Sequence, residues 1–139
     1  MNTSSENCRT ILVVDDDASV LVLIQAILTA AGYRVLLATE SEGAIRLASQ
    51  KHLHIDMAML DVHIPGVEGT ALADQILALR PEVPVLWISG FVDDEFIRIK
   101  LLDGYAGFLP KPLRRNDLIA AVQQILSEDK ILTATALAQ

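Results

Sequence analysis

The sequence predicts an α/β fold in which a parallel five-stranded sheet carries helices on both faces. Short apolar runs alternate with longer segments of helical spacing five times along the 139 residues. Short connections between such units favour parallel strands joined by helical crossovers. Four of the strand candidates end in polar side chains. Because the carboxyl ends of parallel strands meet at one edge of a sheet, these side chains are expected to share one site.

The first βα unit has clear boundaries. Thr10–Val14 is an apolar, β-branched run and predicts the first strand. Ala18–Ala31 is long enough for a helix. Asp17 is a favourable N-cap for that helix, and Gly32 is a natural residue to end it.

The later units follow the same alternation. Further strands are predicted at Tyr33–Ala38, Ile55–Leu60, Val83–Ile88 and Tyr105–Leu109. Further helices are predicted at Ser41–Gln50, where Ser41 resembles a cap, and at Gly66–Arg80, Asp93–Leu102 and Leu113–Leu126. The folded domain is therefore expected to span residues 10–126, with residues 1–9 as an N-terminal extension and residues 127–139 as a C-terminal tail.

Composition argues against several classes of protein. The chain is 52% hydrophobic and 21% charged, which is typical of a globular domain. Its net charge of −7, with no basic cluster larger than Arg114-Arg115, argues against direct nucleic-acid binding. No signal peptide and no apolar run of about 18 residues is visible, so membrane insertion is not expected. The single cysteine, Cys8, fits a reducing compartment, and we expect a cytoplasmic protein.

Three carboxylates at strand ends predict a metal site. Asp15 and Asp16 follow the first strand, and Asp61 follows the third. In one cleft these groups would repel one another and raise a pKa unless a cation lay among them. Carboxylate oxygens select Mg²⁺, Mn²⁺ or Ca²⁺ over zinc, and a few carboxylates with waters suit Mg²⁺, with Mn²⁺ as the next choice.

Two further strand ends supply groups that suit phosphoryl chemistry. Ser89 supplies a hydroxyl, Gly90 leaves space beside it, and Lys111 supplies a compact positive charge. A metal, a lysine and a hydroxyl around Asp61 would stabilise a phosphoryl group that is transferred to this carboxylate. The alternative is that these residues only cap strand ends; this would explain any one of them, but it is a poor account of all five at four strand ends.

Taken together, these motifs resemble the receiver domain of bacterial two-component response regulators. The matching segments are Val13-Val14-Asp15-Asp16, Leu60-Asp61 with Ile64-Pro65 and Gly69, Trp87-Ile88-Ser89-Gly90, and Gly107-Phe108-Leu109-Pro110-Lys111-Pro112. Their order and spacing fit from about Thr10 to Leu126. The resemblance implies a doubly wound, flavodoxin-like sheet of strand order 2-1-3-4-5.

The resemblance also implies roles for the site residues. Asp61 would accept a phosphoryl group from a histidine kinase or a histidine phosphotransfer protein. Mg²⁺ would be held by Asp15, Asp16, Asp61 and the backbone carbonyl of His63. The phosphoryl oxygens would be bound at Ser89, Gly90 and Lys111.

Two further expectations follow from the same resemblance. Phe108 would be an aromatic switch residue that moves with Ser89. The Lys111–Pro112 peptide bond would be cis, which turns Lys111 back toward Asp61.

Two features depart from the common pattern of such domains. Phe91 cannot orient a water by hydrogen bonding, so slow self-dephosphorylation is expected. The first helix has no charged residue, although a surface helix normally shows a polar stripe. Leu21, Val22 and Gln25 are therefore expected to form a partner surface, for a phosphotransfer partner or a second copy in a homodimer. Cover by the chain's own apolar tail is the alternative.

We therefore expect a phosphoacceptor signalling switch rather than an enzyme. No output domain is visible, so the chain is expected to be a stand-alone receiver or the receiver module of a hybrid sensor histidine kinase. Two other classes fit less well. An Asp-nucleophile phosphatase typically has Asp-x-Asp, which Asp61-Val62-His63 lacks. A flavin-binding protein would need a hydroxyl-rich phosphate loop where Asp15-Asp16-Asp17 would repel a phosphate.

Overall fold

A computed structural model describes residues 8–64, 67–90 and 105–138, with the backbone alone at 67–70 and 128–138. Within this part of the chain, five strands form one parallel sheet. They are β1 (Thr10–Val14), β2 (Arg34–Ala38), β3 (Met57–Asp61), β4 (Val85–Ser89) and β5 (Gly107–Pro110). Their spatial order is β2-β1-β3-β4-β5, which confirms the predicted topology.

Four helices accompany the sheet in the described residues. They are α1 (Ala18–Ala30), α2 (Ser41–Ala48), α3 (Gly69–Leu79) and α4 (Arg115–Ala138). An antiparallel pairing of His63–Ile64 with Val67–Glu68 was not predicted. The helix predicted at Asp93–Leu102, like Phe91, lies outside the described residues.

The sheet is buried on both faces, as the alternation of strands and helices predicts. Successive residues of a strand point to opposite faces, so each strand contributes to both apolar layers. The layer beneath α2 and α3 includes Leu12, Val14, Leu60, Leu72, Ile76 and Trp87. The layer beneath α1 and α4 includes Ile11, Val13, Ile24, Leu28, Met59 and Leu118. Each fully buried side chain of this size contributes about 1.5–3 kcal/mol, so both helical layers hold the sheet in place.

Helix α1 begins and ends as the sequence predicts. The Asp17 side chain accepts a hydrogen bond from the Ser19 backbone N–H at 2.9 Å, which satisfies a donor of the first turn. Gly32 has φ of +97°, a conformation in which a side chain would be strained. Ser41, in contrast, is the first residue of α2 rather than its cap. Glu40 occupies the cap position and makes no side-chain capping bond.

The expectation that Leu21 lies on the surface is wrong. Leu21 is only 4% exposed and packs with Ile24 and Leu28 in the layer beneath α1, following the three- and four-residue spacing of a buried helix face. Val22, one position further round the helix, is 64% exposed. With no charged residue to mark the outer face, the sequence left the rotation of this helix undetermined.

The last helix is longer than predicted. It extends past Leu126 to Ala138, through the segment that was expected to be a tail. No glycine or proline interrupts this segment, and Glu128, Lys130 and Leu132 are strong helix formers. None of the helices in the described ranges is long and apolar enough to cross a lipid bilayer.

Candidate functional site

The predicted site residues meet at the carboxyl edge of the sheet. Asp61 is the last residue of β3, and Ser89 is the last residue of β4. Asp15 and Lys111 directly follow β1 and β5. The backbone N–H of Lys111 donates to the carbonyl of Ser89 at 2.8 Å, and that of Val62 to the carbonyl of Ile88 at 3.1 Å. These bonds fix the strand tips in register, so residues far apart in sequence become neighbours.

The three predicted metal ligands form one cluster. Asp15, Asp16 and Asp61 each place a carboxylate oxygen so that all three atoms lie within 4.8 Å of one another. Asp15 and Asp61 are buried, whereas Asp16 is exposed. The cluster is therefore enclosed by protein on one side and open to solvent on the other.

Backbone hydrogen bonds orient the two buried carboxylates. Asp15 Oδ1 accepts a bond from the backbone N–H of Asp17 at 2.8 Å, and Asp61 Oδ1 accepts one from the backbone N–H of His63 at 3.1 Å. The His63 side chain itself is exposed. The bond from Asp17 was not predicted, because Asp17 was interpreted only as the helix cap.

Lys111 joins the two buried carboxylates. Its Nζ donates a hydrogen bond to Asp61 Oδ2 at 3.1 Å and lies 2.9 Å from Asp15 Oδ2. The second contact is an ion pair. Burial alone would lower the pKa of Lys111, but the hydrogen bonds and charges of Asp15 and Asp61 outweigh this effect and raise it.

The electrostatics at Asp15 favour a bound cation. Burial raises the pKa of Asp15, and the charge of Asp61 raises it further, against the opposing effects of Lys111 and of the Asp17 N–H. Asp15 Oδ2 is buried and makes the ion pair with Lys111. A set of carboxylate oxygens that is open to solvent on one side fits a hard divalent ion such as Mg²⁺ or Mn²⁺.

The remaining predicted residues lie around this cluster. Ser89 is completely buried, and Gly90 is exposed beside open space. Phe108 is half-buried and packs against the layer beneath α2 and α3. The Lys111–Pro112 bond is cis, as predicted.

The partner surface differs from the predicted one because Leu21 is buried. Val22 and Gln25 are exposed, and so is Leu23, which was not predicted. A groove of about 380 Å³ runs from Leu23 and Val20 to Leu113, Pro112 and Lys111. The outer face of α1 thus adjoins the groove that ends at Lys111.

Comparison with known proteins agrees with this geometry. The chain matches the response regulator receiver domain family over residues 11–123. It is 33% identical over 124 residues to the transcriptional regulatory protein ZraR of Escherichia coli O157:H7, which covers 89% of this chain and 28% of ZraR. It is 27% identical over 126 residues to the sensor kinase CckA of Brucella abortus, which covers 91% of this chain and 13% of CckA.

A solved structure shows the same architecture. The CheY-like response regulator receiver domain protein of Methanospirillum hungatei JF-1 superposes with a TM-score of 0.81 at 27% identity, over 88% of this chain and 97% of that one. The family match, the topology and the acidic cluster agree. The chain therefore belongs to the response regulator receiver domain family, the signalling modules of two-component systems.

Proposed function

We propose that this chain is a phosphorylation-dependent switch that accepts a phosphoryl group on Asp61 from the histidine of a kinase or phosphotransfer protein. The observation that carries the proposal is the contact of Lys111 Nζ with both Asp15 and Asp61 at the carboxyl edge of the sheet. A nucleophilic carboxylate, a neighbouring cation and an acidic metal site are the groups that phosphoryl transfer to an aspartate requires.

Each residue then has a defined part in the transfer. Asp61 attacks phosphorus as a carboxylate, the P–O bond forms as the P–N bond of the phosphohistidine breaks, and the electron pair returns to the imidazole, which takes up a proton. Lys111 and the hydroxyl of Ser89 hold the phosphoryl oxygens. Asp15, Asp16, Asp61 and the carbonyl of His63 would hold Mg²⁺, which when bound offsets the negative charge of the carboxylates and the phosphoryl group.

Labelling with a small phosphodonor tests this function. Incubation with acetyl phosphate and Mg²⁺ should add a single phosphoryl group, detected by intact mass. Asp61→Asn should abolish the adduct. Asp74→Asn, which removes an exposed carboxylate on α3, should label like the wild type. A wild type that takes up no phosphoryl group, or an adduct that survives Asp61→Asn, would contradict the assignment.

The outer face of α1 is the proposed docking surface for the phosphoryl donor. Leu23 lines the groove that leads to Lys111, and Val22 and Gln25 are exposed on the same helix. Burying Val22 and Leu23 against a donor would remove apolar surface from water, worth about 25 cal/mol per Å². The groove ends at Lys111, which bonds Asp61.

The docking surface is tested with two matched substitutions. Val22→Glu should slow phosphotransfer from a phosphorylated histidine phosphotransfer protein that labels the wild type, while labelling by acetyl phosphate stays unchanged. Leu79→Glu, at an exposed apolar residue on α3, should affect neither route. Equal transfer to both variants would remove the docking proposal. If the wild type sediments as a dimer that Val22→Glu dissociates, the surface belongs to a second copy instead.

A further inference from the structure

Trp87 is the single tryptophan of the chain and lies beside the phosphoryl site. It is 1% exposed in the middle of β4, two residues before Ser89. Because alternate residues of a strand share a face, Trp87 and Ser89 are on the same side of the sheet. Tyr105 packs edge-on against the indole, with ring centroids 5.1 Å apart and an interplanar angle of 75°. The ring pair therefore joins the segment that ends at Ser89 to the segment that leads to Lys111.

The indole of Trp87 carries an unsatisfied donor. Its Nε1–H is buried and has no hydrogen-bond partner among residues 8–64, 67–90 and 105–138. Buried donors are nearly always paired in folded proteins, and leaving one unpaired is unfavourable. This arrangement of the indole is thus disfavoured relative to any in which the N–H meets an acceptor.

Two backbone hydrogen bonds hold β4 and the segment of β5 together on either side of the ring pair. At one end the backbone N–H of Ala106 donates to the carbonyl of Val85, and at the other that of Lys111 donates to the carbonyl of Ser89. In register, Trp87 lies opposite Phe108. A displacement of Ser89 or Lys111 is carried along β4 and β5 to the rings, because packed interiors transmit small movements.

We propose that Trp87 and Tyr105 form a second conformational switch, in which the edge-on ring contact holds the state with a free Asp61 carboxylate and the indole N–H gains a partner when a phosphoryl group occupies the site. The inference rests on the proposed function of Asp61. In the present arrangement Lys111 bonds the free carboxylate, which a phosphoryl group would displace. If occupancy of the site changes the free energy of the ring contact, the ring contact must change the affinity of the site by the same free energy.

Fluorescence of the single tryptophan tests the first half of the coupling. With Mg²⁺ present, addition of beryllofluoride, which mimics a phosphoryl group on a carboxylate, should shift the Trp87 emission of the wild type. Asp61→Asn should show no shift. If acetyl phosphate labels Asp61 but beryllofluoride leaves the emission unchanged, the ring pair is inert core and the inference is overturned. If the wild type is not labelled at all, the proposed function itself fails, and the inference with it.

Three substitutions test the reverse effect, that of the rings on the affinity of the site. The beryllofluoride concentration that gives half-saturation is measured from the rise in melting temperature. Tyr105→Leu removes the contact that holds the unoccupied state, so it should bind about fivefold more tightly, at the low end of allosteric couplings. Trp87→Phe removes the N–H that is paired only in the occupied state and should bind more weakly by a similar factor. Tyr105→Phe keeps the ring and should bind closer to the wild type than Tyr105→Leu does. Equal half-saturation for Tyr105→Leu, Tyr105→Phe and the wild type would overturn the inference.

Discussion

At the scale of single residues, Asp15 belongs to the acidic cluster, and the fold buries its carboxylate. It is completely buried, and burial raises its pKa. The folded protein thus binds a proton at Asp15 more tightly than the unfolded chain does. The contribution of Asp15 to the free energy of unfolding therefore falls as pH rises through the unfolded value of 3.8 and on through the higher folded pKa.

Replacing this carboxylate should make the metal-free protein more stable at neutral pH. Asp15→Asn removes the buried charge and its repulsion with Asp61, so its melting temperature without metal should exceed that of the wild type. The variant should also lose most of the stabilisation by Mg²⁺. Thermal melts at pH 7, in chelator and in Mg²⁺, measure both effects. Asp74→Asn serves as the control, and a lower metal-free melting temperature for Asp15→Asn would show that the Lys111 ion pair outweighs burial.

The sequence predicted which residues build the site, because strand ends on a parallel sheet have only one place to meet. Asp15, Asp61 and Lys111 lie where that rule puts them. The hydrogen bond from Asp17 to Asp15 could not be predicted, since it depends on the path of a three-residue turn. The burial of Leu21 and the exposure of Val22 could not be predicted either, since an uncharged helix gives no sign of which face points outward.

At the scale of elements, the boundaries follow from local chemistry where that chemistry is strong. Helix α1 begins at an aspartate cap and ends before a glycine with positive φ, both as predicted. Helix α4 runs past its predicted end because nothing between Leu126 and Ala138 stops it. The pairing of His63–Ile64 with Val67–Glu68 is too short to give a detectable alternation of apolar residues.

Gly32 and Gly43 differ in whether the backbone requires a glycine. Gly32→Ala should lower the free energy of unfolding by about 1 kcal/mol, because a side chain is strained at positive φ. Gly43→Ala, within α2, would place its Cβ in ordinary contact 3.5 Å from that of Ala38 and should be neutral or stabilising by up to about 1 kcal/mol. Urea denaturation of the two variants measures the difference. A Gly32→Ala protein as stable as Gly43→Ala would mean that the end of α1 adjusts without cost.

At the scale of the whole molecule, the fold class could be predicted because several weak signals agree, and the strand order that the family resemblance implies is also confirmed. The alternation of elements, the double-sided burial and the short connections each favour the same doubly wound sheet. The carboxyl edge of that sheet gathers Asp15, Asp61 and Lys111 from β1, β3 and β5. The site is therefore sensitive to the integrity of the complete sheet.

Mg²⁺ should stabilise the whole domain by linking these strands. At ten times its dissociation constant, an ion bound only by the folded protein adds about 1.4 kcal/mol to the free energy of unfolding. For a domain of this size, this raises the melting temperature by about 3–6 °C. Differential scanning calorimetry over a Mg²⁺ titration measures the shift, and Asp16→Asn should reduce it. Identical melting temperatures at every Mg²⁺ concentration would exclude a site at the acidic cluster.

The ion pairs of Lys111 with Asp15 and Asp61 have a consequence for protein synthesis. The carboxylates emerge from the ribosome early, and the lysine emerges only after β5 has been made. Until then the nascent chain has the carboxylates without the lysine that pairs with them. A half-made copy thus lacks the proposed phosphoryl-binding site, which only the finished sheet completes.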